Sequence, residues 1–263
     1  MAAWCLSVIT TFFTGEDEPM YPVLFHLGSL EINSYAFFNA LALLTGAGIY
    51  LRLTYSRGTP ENTMFLLAGA LSGGFIGAKT IDLILNFKLV SANLFPYLSQ
   101  GIGSRTILGG LIGGWIGVEA AKKIRGIREK TGDPFALSAP AAMGIGRIGC
   151  LLGGCCFGKP TGEWYGIYMA GQYRYPTQLI EIVFDFSLFL LLWVIRNKMK
   201  YPGDLFKLFI LGYSVFRFLI EFIRAEPVVW LGLTVYQLIA VPLILITGIY
   251  FFRKGDLYGF NRR

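Results

Sequence analysis

Histidine is almost missing from this chain: His26 is the only one among 263 residues. Charge is scarce as well, at 15% of residues, where an ordinary soluble domain carries roughly 25%. With 54% hydrophobic residues, that scarcity excludes a soluble globular class and points to the membrane. Cysteine is limited to four residues, and Cys150, Cys155 and Cys156 crowd into one glycine-rich segment instead of spacing out as a disulfide framework. No C-x-x-C pair is present, which sets thiol redox chemistry aside. The spacing matches no recognised zinc pattern and His26 is far away in sequence, so neither a metal nor another cofactor is expected. The first residues, MAAWCLSVITTFF, are apolar but lack the cationic start of a secretory signal. They read as an interfacial segment, or as an extension over residues 1–19 ahead of a start at Met20. Without internal repeats or low-complexity linkers, residues 1–263 are expected to form a single membrane domain.

What the chain does have is a series of apolar runs close to the length of a bilayer crossing. Spans are expected over Ser34–Leu53, Asn62–Leu85, Thr106–Ala120, Phe135–Leu152, Gln178–Val194, Leu205–Ile223 and Leu233–Phe252. The fold class is therefore all-α, a polytopic transmembrane helical bundle of about seven spans. The net charge of +7 would suggest nucleic acid in a soluble protein, but here the position of each cation matters more than the sum, and nucleic acid is not expected as a partner. Basic residues fall in alternate loops: Arg52 and Arg57, then Lys122, Lys123, Arg125, Arg128 and Lys130, then Arg196, Lys198 and Lys200, and finally Arg253, Lys254, Arg262 and Arg263. By the positive-inside rule those loops and the C-terminus are cytoplasmic and the N-terminus is outside. The loops holding Lys88, Lys159, Arg174 and Arg224 then face the exterior. The third and fourth spans are rich in glycine, so their backbones can approach neighbours closely, and a site is expected there.

Arg147 lies within the apolar stretch MGIGRIGCLLGGCCFG, where a guanidinium is expensive unless it is paired or faces a wet cavity. Its counter-charge is either an internal carboxylate or a phosphate, which suits the planar fork of donors; Gly144, Gly146 and Gly149 would let a headgroup reach the backbone. In FRFLIEFIR, Arg217 and Glu221 are four apart and share a helix face, with Arg224 continuing the stripe. They neutralise one another, or the surplus arginine binds an anion. RYPTQLIE reads as a helix start, with Pro176 preorganised, Thr177 and Gln178 polar in the first turn, and Glu181 placed either for the helix dipole or for chemistry. The three clustered cysteines are packing residues, or one is a thiol activated by Arg147, or two form a disulfide if the segment faces the periplasm. Tyr35 reads as part of an interfacial aromatic belt, and His26 precedes the first span in a stretch of strand-like character.

Five motifs in order resemble those of the prolipoprotein diacylglyceryl transferase family, from about Tyr21 to the last span. PVLFHLGSLEINSY is similar to that family's opening segment with its tyrosine at Tyr35, and ILGGLIGG, with Gly109 and Gly110, resembles HGGLIGG. GIGRIGCLLGGCCFG resembles the G-x-GR-x-GNF-x-NGE-x-x-G signature, RYPTQLIE resembles RHPSQLYE, and GYSVFRFLIEFIR resembles GYG-x-FR-x-x-x-EF-x-R.

The resemblance implies transfer of the diacylglyceryl group of phosphatidylglycerol to the cysteine thiol of a lipobox-containing preprolipoprotein. The reaction would take place in the bacterial inner membrane near its periplasmic or outer face. In that reading Arg147 and Arg217 hold the phosphate and stabilise the leaving group, Glu221 orients an arginine, and Cys155 or Cys156 supplies a thiolate. Tyr35, Gly109, Gly110, Gly146, Cys150, Gly158, Gln178 and Arg224 shape the substrate pocket. The chain departs from the signature at Leu108 in place of histidine, at Cys150 and Gly153 in place of asparagines, and at Cys155 in place of glutamate. Leucine cannot accept a proton. The competing expectation is therefore a non-catalytic protein that binds or translocates phospholipid.

Overall fold

A computed structural model describes residues 21–28, 30–54, 60–85, 107–128 and 130–258. The N-terminal stretch with Cys5 and Met20, together with Arg57, Lys88, Arg262 and Arg263, lies outside the described residues. The described residues form seven α-helices, one for each expected span: α1 (Ser34–Thr54), α2 (Pro60–Leu85), α3 (Ile107–Arg125), α4 (Gly132–Leu152), α5 (Thr177–Ile195), α6 (Asp204–Ile220) and α7 (Val235–Tyr258). Three short antiparallel hairpins accompany them: β1 (Val23–Leu27) with β2 (Leu30–Asn33), β3 (Ile167–Met169) with β4 (Gln172–Arg174), and β5 (Val228–Trp230) with β6 (Leu233–Thr234).

Five of the helices, α1, α2, α4, α5 and α7, are long and apolar enough to cross a bilayer. The chain is a multi-pass membrane protein with an inside-out distribution of polarity. Leu44, Ile84, Ile124, Ile246 and Phe252 point outward, while Gln178, Glu181, Asp185, Arg147, Arg217 and Glu221 are buried. Lipid solvates the first set as well as a core would, and the second is costly away from water unless it pairs internally.

The chain divides into two compact units, residues 51–130 and residues 1–50 with 131–263. In the smaller unit α2 and α3 meet backbone to backbone. Gly69, Gly73 and Gly77 recur every four residues and place a bare stripe on one face of α2, opposite Gly113 and Gly117 of α3. A Cβ on Gly69 would stand 2.7 Å from the Gly117 carbonyl oxygen, and one on Gly77 2.6 Å from the Gly113 Cα. Only glycine permits that approach, in which small residues replace the missing hydrophobic drive by close van der Waals contact.

In the larger unit both ends are tied. At one end Asp133, in the first turn of α4, accepts the backbone N–H groups of Gly203 (2.8 Å) and Phe206 (3.2 Å) and so caps the start of α6. Asp204, fully buried, accepts from Tyr250 (2.5 Å), Lys254 (3.0 Å) and Lys207 (3.2 Å), fastening α6 to the last turns of α7. At the opposite end lie the start of α1, the end of α4, the start of α5 and the end of α6. There Gly149 and Gly153 of the α4 terminus make room for Phe38 and Tyr35 of α1. Thr234 and Gln237 form a reciprocal capping box that begins α7. Between the ends, Phe184 of α5 and Phe216 of α6 stack at 3.7 Å, and Gly144 of α4 admits the Phe186 ring.

Candidate active site

Glu181, in the second turn of α5, is the centre of a buried ionic cluster. Its Oε1 lies 2.9 Å from Arg224 Nη1 and 3.2 Å from Arg217 Nη1, and its Oε2 pairs with Arg147 Nε. Arg217 also reaches Glu221 Oε2 at 3.1 Å, and Arg224 Nη2 reaches Glu226 Oε1 at 3.0 Å. The arginines come from the last turns of α4, the end of α6 and the loop beyond it, so one carboxylate gathers three otherwise independent segments. All three arginines are at least 94% buried. Burying such groups costs several kcal/mol each unless they are paired and hydrogen-bonded, so the cluster forms together or not at all.

Sequence spacing places Arg217 and Glu221 together, and the structure does so. It does not keep Arg224 on the same helical stripe. α6 ends at Ile220, and the chain turns so that Arg224 forms an isolated β-bridge with Gly158. The loop gives up helical hydrogen bonds but gains Lys159 N–H to Ile223 O at 2.8 Å, and it aims the Arg224 guanidinium at Glu181. Gly158 serves this lamination: a Cβ there would lie 2.6 Å from Tyr175 Cβ and 2.8 Å from Ile223 O. Two residues missed by sequence reasoning complete the surroundings. Asp185 is one helical turn beyond Glu181, 2% exposed, and its Oδ1 has no hydrogen-bond partner. The Tyr236 ring lies 4.4 Å under the Arg217 guanidinium. A carboxylate inside an apolar span was the available signal for Asp185.

The cysteines sit against this cluster. α4 ends at Leu152, and Gly154 (φ 67°) and Cys156 (φ 62°) turn the chain back so that the Cys150, Cys155 and Cys156 sulfurs fall within 4.8 Å of one another. Arg147 Nη1 donates to Cys150 Sγ at 4.0 Å. The loop backbone is held by Gln178 Nε2 on the Cys155 carbonyl (2.7 Å), and by Thr177 Oγ1 (3.0 Å) and Arg224 Nη1 (3.4 Å) on the Cys156 carbonyl. Gln178 thus anchors the thiol loop. Hydrogen bonds from Cys150 and Cys155, reinforced by the Arg147 and Arg224 guanidinia, hold the Cys156 thiol well below its ordinary pKa.

Of the other expected site residues, Tyr35 and Gly146 belong to the same end of the larger unit. Tyr35 lies over Gly149 and Gly153, and Gly146 faces Asn39 and Ala42. Gly109 and Gly110 belong to the smaller unit, where the Gly109 carbonyl meets Gly77 and Gly110 faces Gly74 and Ala78.

Arginines gathered on carboxylates at one end of an inside-out helical unit place this chain among multi-pass membrane proteins with a buried ionic cluster. Residues 22–253 match the family described as prolipoprotein diacylglyceryl transferase. The chain is 35% identical over 219 residues to the phosphatidylglycerol–prolipoprotein diacylglyceryl transferase of Clostridium tetani, covering 79% of this chain and 87% of that protein. It is 32% identical over 250 residues to an enzyme of that name from Clostridium perfringens, covering 90% and 96%. The corresponding Staphylococcus aureus protein is 31% identical over 242 residues, covering 86% of each chain. The chain belongs to the prolipoprotein diacylglyceryl transferase family, a family of membrane transferases.

Proposed function

We propose that this protein transfers the diacylglyceryl group of phosphatidylglycerol to the cysteine thiol of a lipobox-containing preprolipoprotein, at the outer face of the bacterial inner membrane. The observation that carries this reading is the buried three-arginine cluster on the family's own motifs, in which the Arg224 Nε–H makes no hydrogen bond and has Glu221 Oε2 only at 3.8 Å. A guanidinium has five donors, and Glu181, Glu221 and Glu226 together take only part of the fifteen that three arginines offer; a phosphodiester is an anion whose oxygens suit the remainder. The acceptor thiolate attacks the glyceryl carbon, a C–S bond forms, the C–O bond to phosphate breaks, and glycerol phosphate leaves with the electron pair. The thiol proton goes to water, and the phosphate gains one negative charge. Arginines fixed in a water-poor site stabilise that added charge without reorganising.

The test is mass-spectrometric detection of a diacylglyceryl-modified lipobox peptide made by purified protein and phosphatidylglycerol. Arg147→Ala and Arg217→Ala are expected to lower transfer by at least about tenfold, the worth of one charge-assisted hydrogen bond, while still inserting in the membrane. Phosphatidylglycerol binding without any peptide modification would establish the competing reading, a phospholipid-binding protein, which Leu108 in place of the family histidine favours.

A further inference from the structure

We infer that Cys150, Cys155 and Cys156 form a three-thiolate site for a soft d10 cation such as Zn(II), whose open fourth position takes the acceptor cysteine as thiolate. This rests on the diacylglyceryl-transfer reading for the identity of the fourth ligand, but not for the cation.

Three sulfurs already lie within 4.8 Å of one another. A tetrahedral centre with Zn–S bonds of about 2.3 Å needs sulfurs about 3.8 Å apart, a contraction that side-chain rotation can supply. Cysteine sulfurs without imidazole or carboxylate select thiophilic cations over magnesium or calcium. The backbone is fixed in advance: Gln178, Thr177 and Arg224 hold the carbonyls of Cys155 and Cys156, and Met169 Sδ lies 3.6 Å from Gln178 Nε2. Arg147 supplies the outer hydrogen bond to Cys150 Sγ that metal-bound sulfurs commonly receive. Three thiolates around a divalent ion carry one net negative charge, and Arg147 and Arg224, which also pair with Glu181, are the cations beside it. Among the described residues no fourth His, Cys, Asp or Glu joins the group, and Cys156 is exposed, so one coordination position faces outward. Three protein ligands with an open position characterise catalytic zinc, whereas structural zinc is closed by four.

The chemistry supplied is the one this chain otherwise lacks. The one histidine of the sequence, His26, pairs with Glu31 in the β1–β2 hairpin and is not part of the thiol group. A thiol that coordinates a cation is deprotonated outright, its proton passing to water. The sulfur then attacks the glyceryl carbon as in the proposed reaction and leaves the metal as a weakly bound thioether, which resets the site. Free thiol is only a few per cent ionised at neutral pH, and the lower basicity of a bound thiolate reduces its nucleophilicity in part, so the net gain is about tenfold.

The experiment uses the full chain in detergent, stripped with chelator and loaded with Co(II), whose thiolate charge-transfer and tetrahedral ligand-field bands report coordination. One equivalent is expected to produce both bands. Cys155→Ser and Cys156→Ser should abolish them while retaining phosphatidylglycerol binding, which confirms folding. A lipobox peptide should shift the ligand-field band, and the same peptide with serine for cysteine should not. Chelation should lower transfer about tenfold, and Zn(II) should restore it. The inference is overturned if Co(II) gives no thiolate band, if the cysteine peptide leaves the spectrum unchanged, or if metal-free protein transfers at the full rate. A peptide-induced shift in a protein that never modifies the peptide supports the cation site and defeats the transfer reading instead.

Discussion

Arg224 Nη1 and Glu181 Oε1 lie 2.9 Å apart although 43 residues separate them in the chain. The pair joins the loop after α6 to the second turn of α5, and the same carboxylate oxygen takes Arg217. Glu181→Gln should therefore deprive buried Arg147 of its carboxylate partner and leave Arg217 and Arg224 only Glu221 and Glu226. A loss of about 3–5 kcal/mol in unfolding free energy is expected in detergent. Glu226→Gln, which removes a partly exposed partner of Arg224, should cost less than about 1 kcal/mol. Equal losses for the two variants would remove Glu181 from its central place.

The glycine faces of α2 and α3 set a second expectation. Gly113→Leu has backbone within reach of its first side-chain atom, 2.7 Å from Gly77 Cα, and should destabilise the hairpin by about 1–3 kcal/mol or more. Gly48→Ala in α1, where a Cβ meets nothing within 4 Å, should be neutral or stabilise by up to about 1 kcal/mol. Chemical denaturation of both variants in the same micelle provides the comparison.

The Cys156 thiol, held below its ordinary range, should remain a thiolate as the medium is acidified. An ordinary thiol loses about tenfold in alkylation rate per pH unit below its pKa of about 8.5. In metal-free protein, peptide mapping after brief iodoacetamide treatment should find Cys156 modified at nearly the same rate from about pH 8 to about pH 6. Cys150→Ala removes its largest stabilising hydrogen bond and should restore the steep dependence. A steep dependence in the unaltered protein would contradict the arrangement of donors around this sulfur.

For orientation, reporter fusions in the Lys122–Lys130 loop and after Arg263 are expected to read as cytoplasmic, because the densest basic clusters lie there. A periplasmic C-terminus would invert the chain and move the arginine cluster to the other leaflet.

Much of this was legible in the residues themselves. Apolar runs located every described helix; the span expected from Ser34 to Leu53 is a helix from Ser34 to Thr54. The run from Gln178 to Val194 is a helix from Thr177 to Ile195. Arg147 and Arg217 announced themselves as cations in apolar surroundings, which allow few explanations. What spacing could not supply was partnership across the fold. Arg217 had Glu221 four residues away, so nothing local pointed to Glu181, 36 residues distant. The α6 terminus expected at Ile223 falls three residues earlier because the Lys159 N–H bond to the Ile223 carbonyl, within the Gly158–Arg224 bridge, replaces the helical continuation. Nor did spacing show that Gly109 and Gly110 face Gly77, Gly74 and Ala78 of α2. The thiol cluster depends on a backbone reversal at Gly154 and Cys156 that linear spacing does not reveal.

That reversal puts a side chain where the backbone favours none. Cys156 adopts a φ of 62°, a left-handed conformation that costs an L-residue about 1–2 kcal/mol and that glycine adopts freely. Durability and reactivity are thus opposed at one position. A directed-evolution screen scored only on heat resistance would be drawn toward Cys156→Gly, and its most robust survivors would be those that had discarded the exposed sulfur. Engineering this scaffold for longer shelf life should hold residue 156 fixed and seek its gains elsewhere.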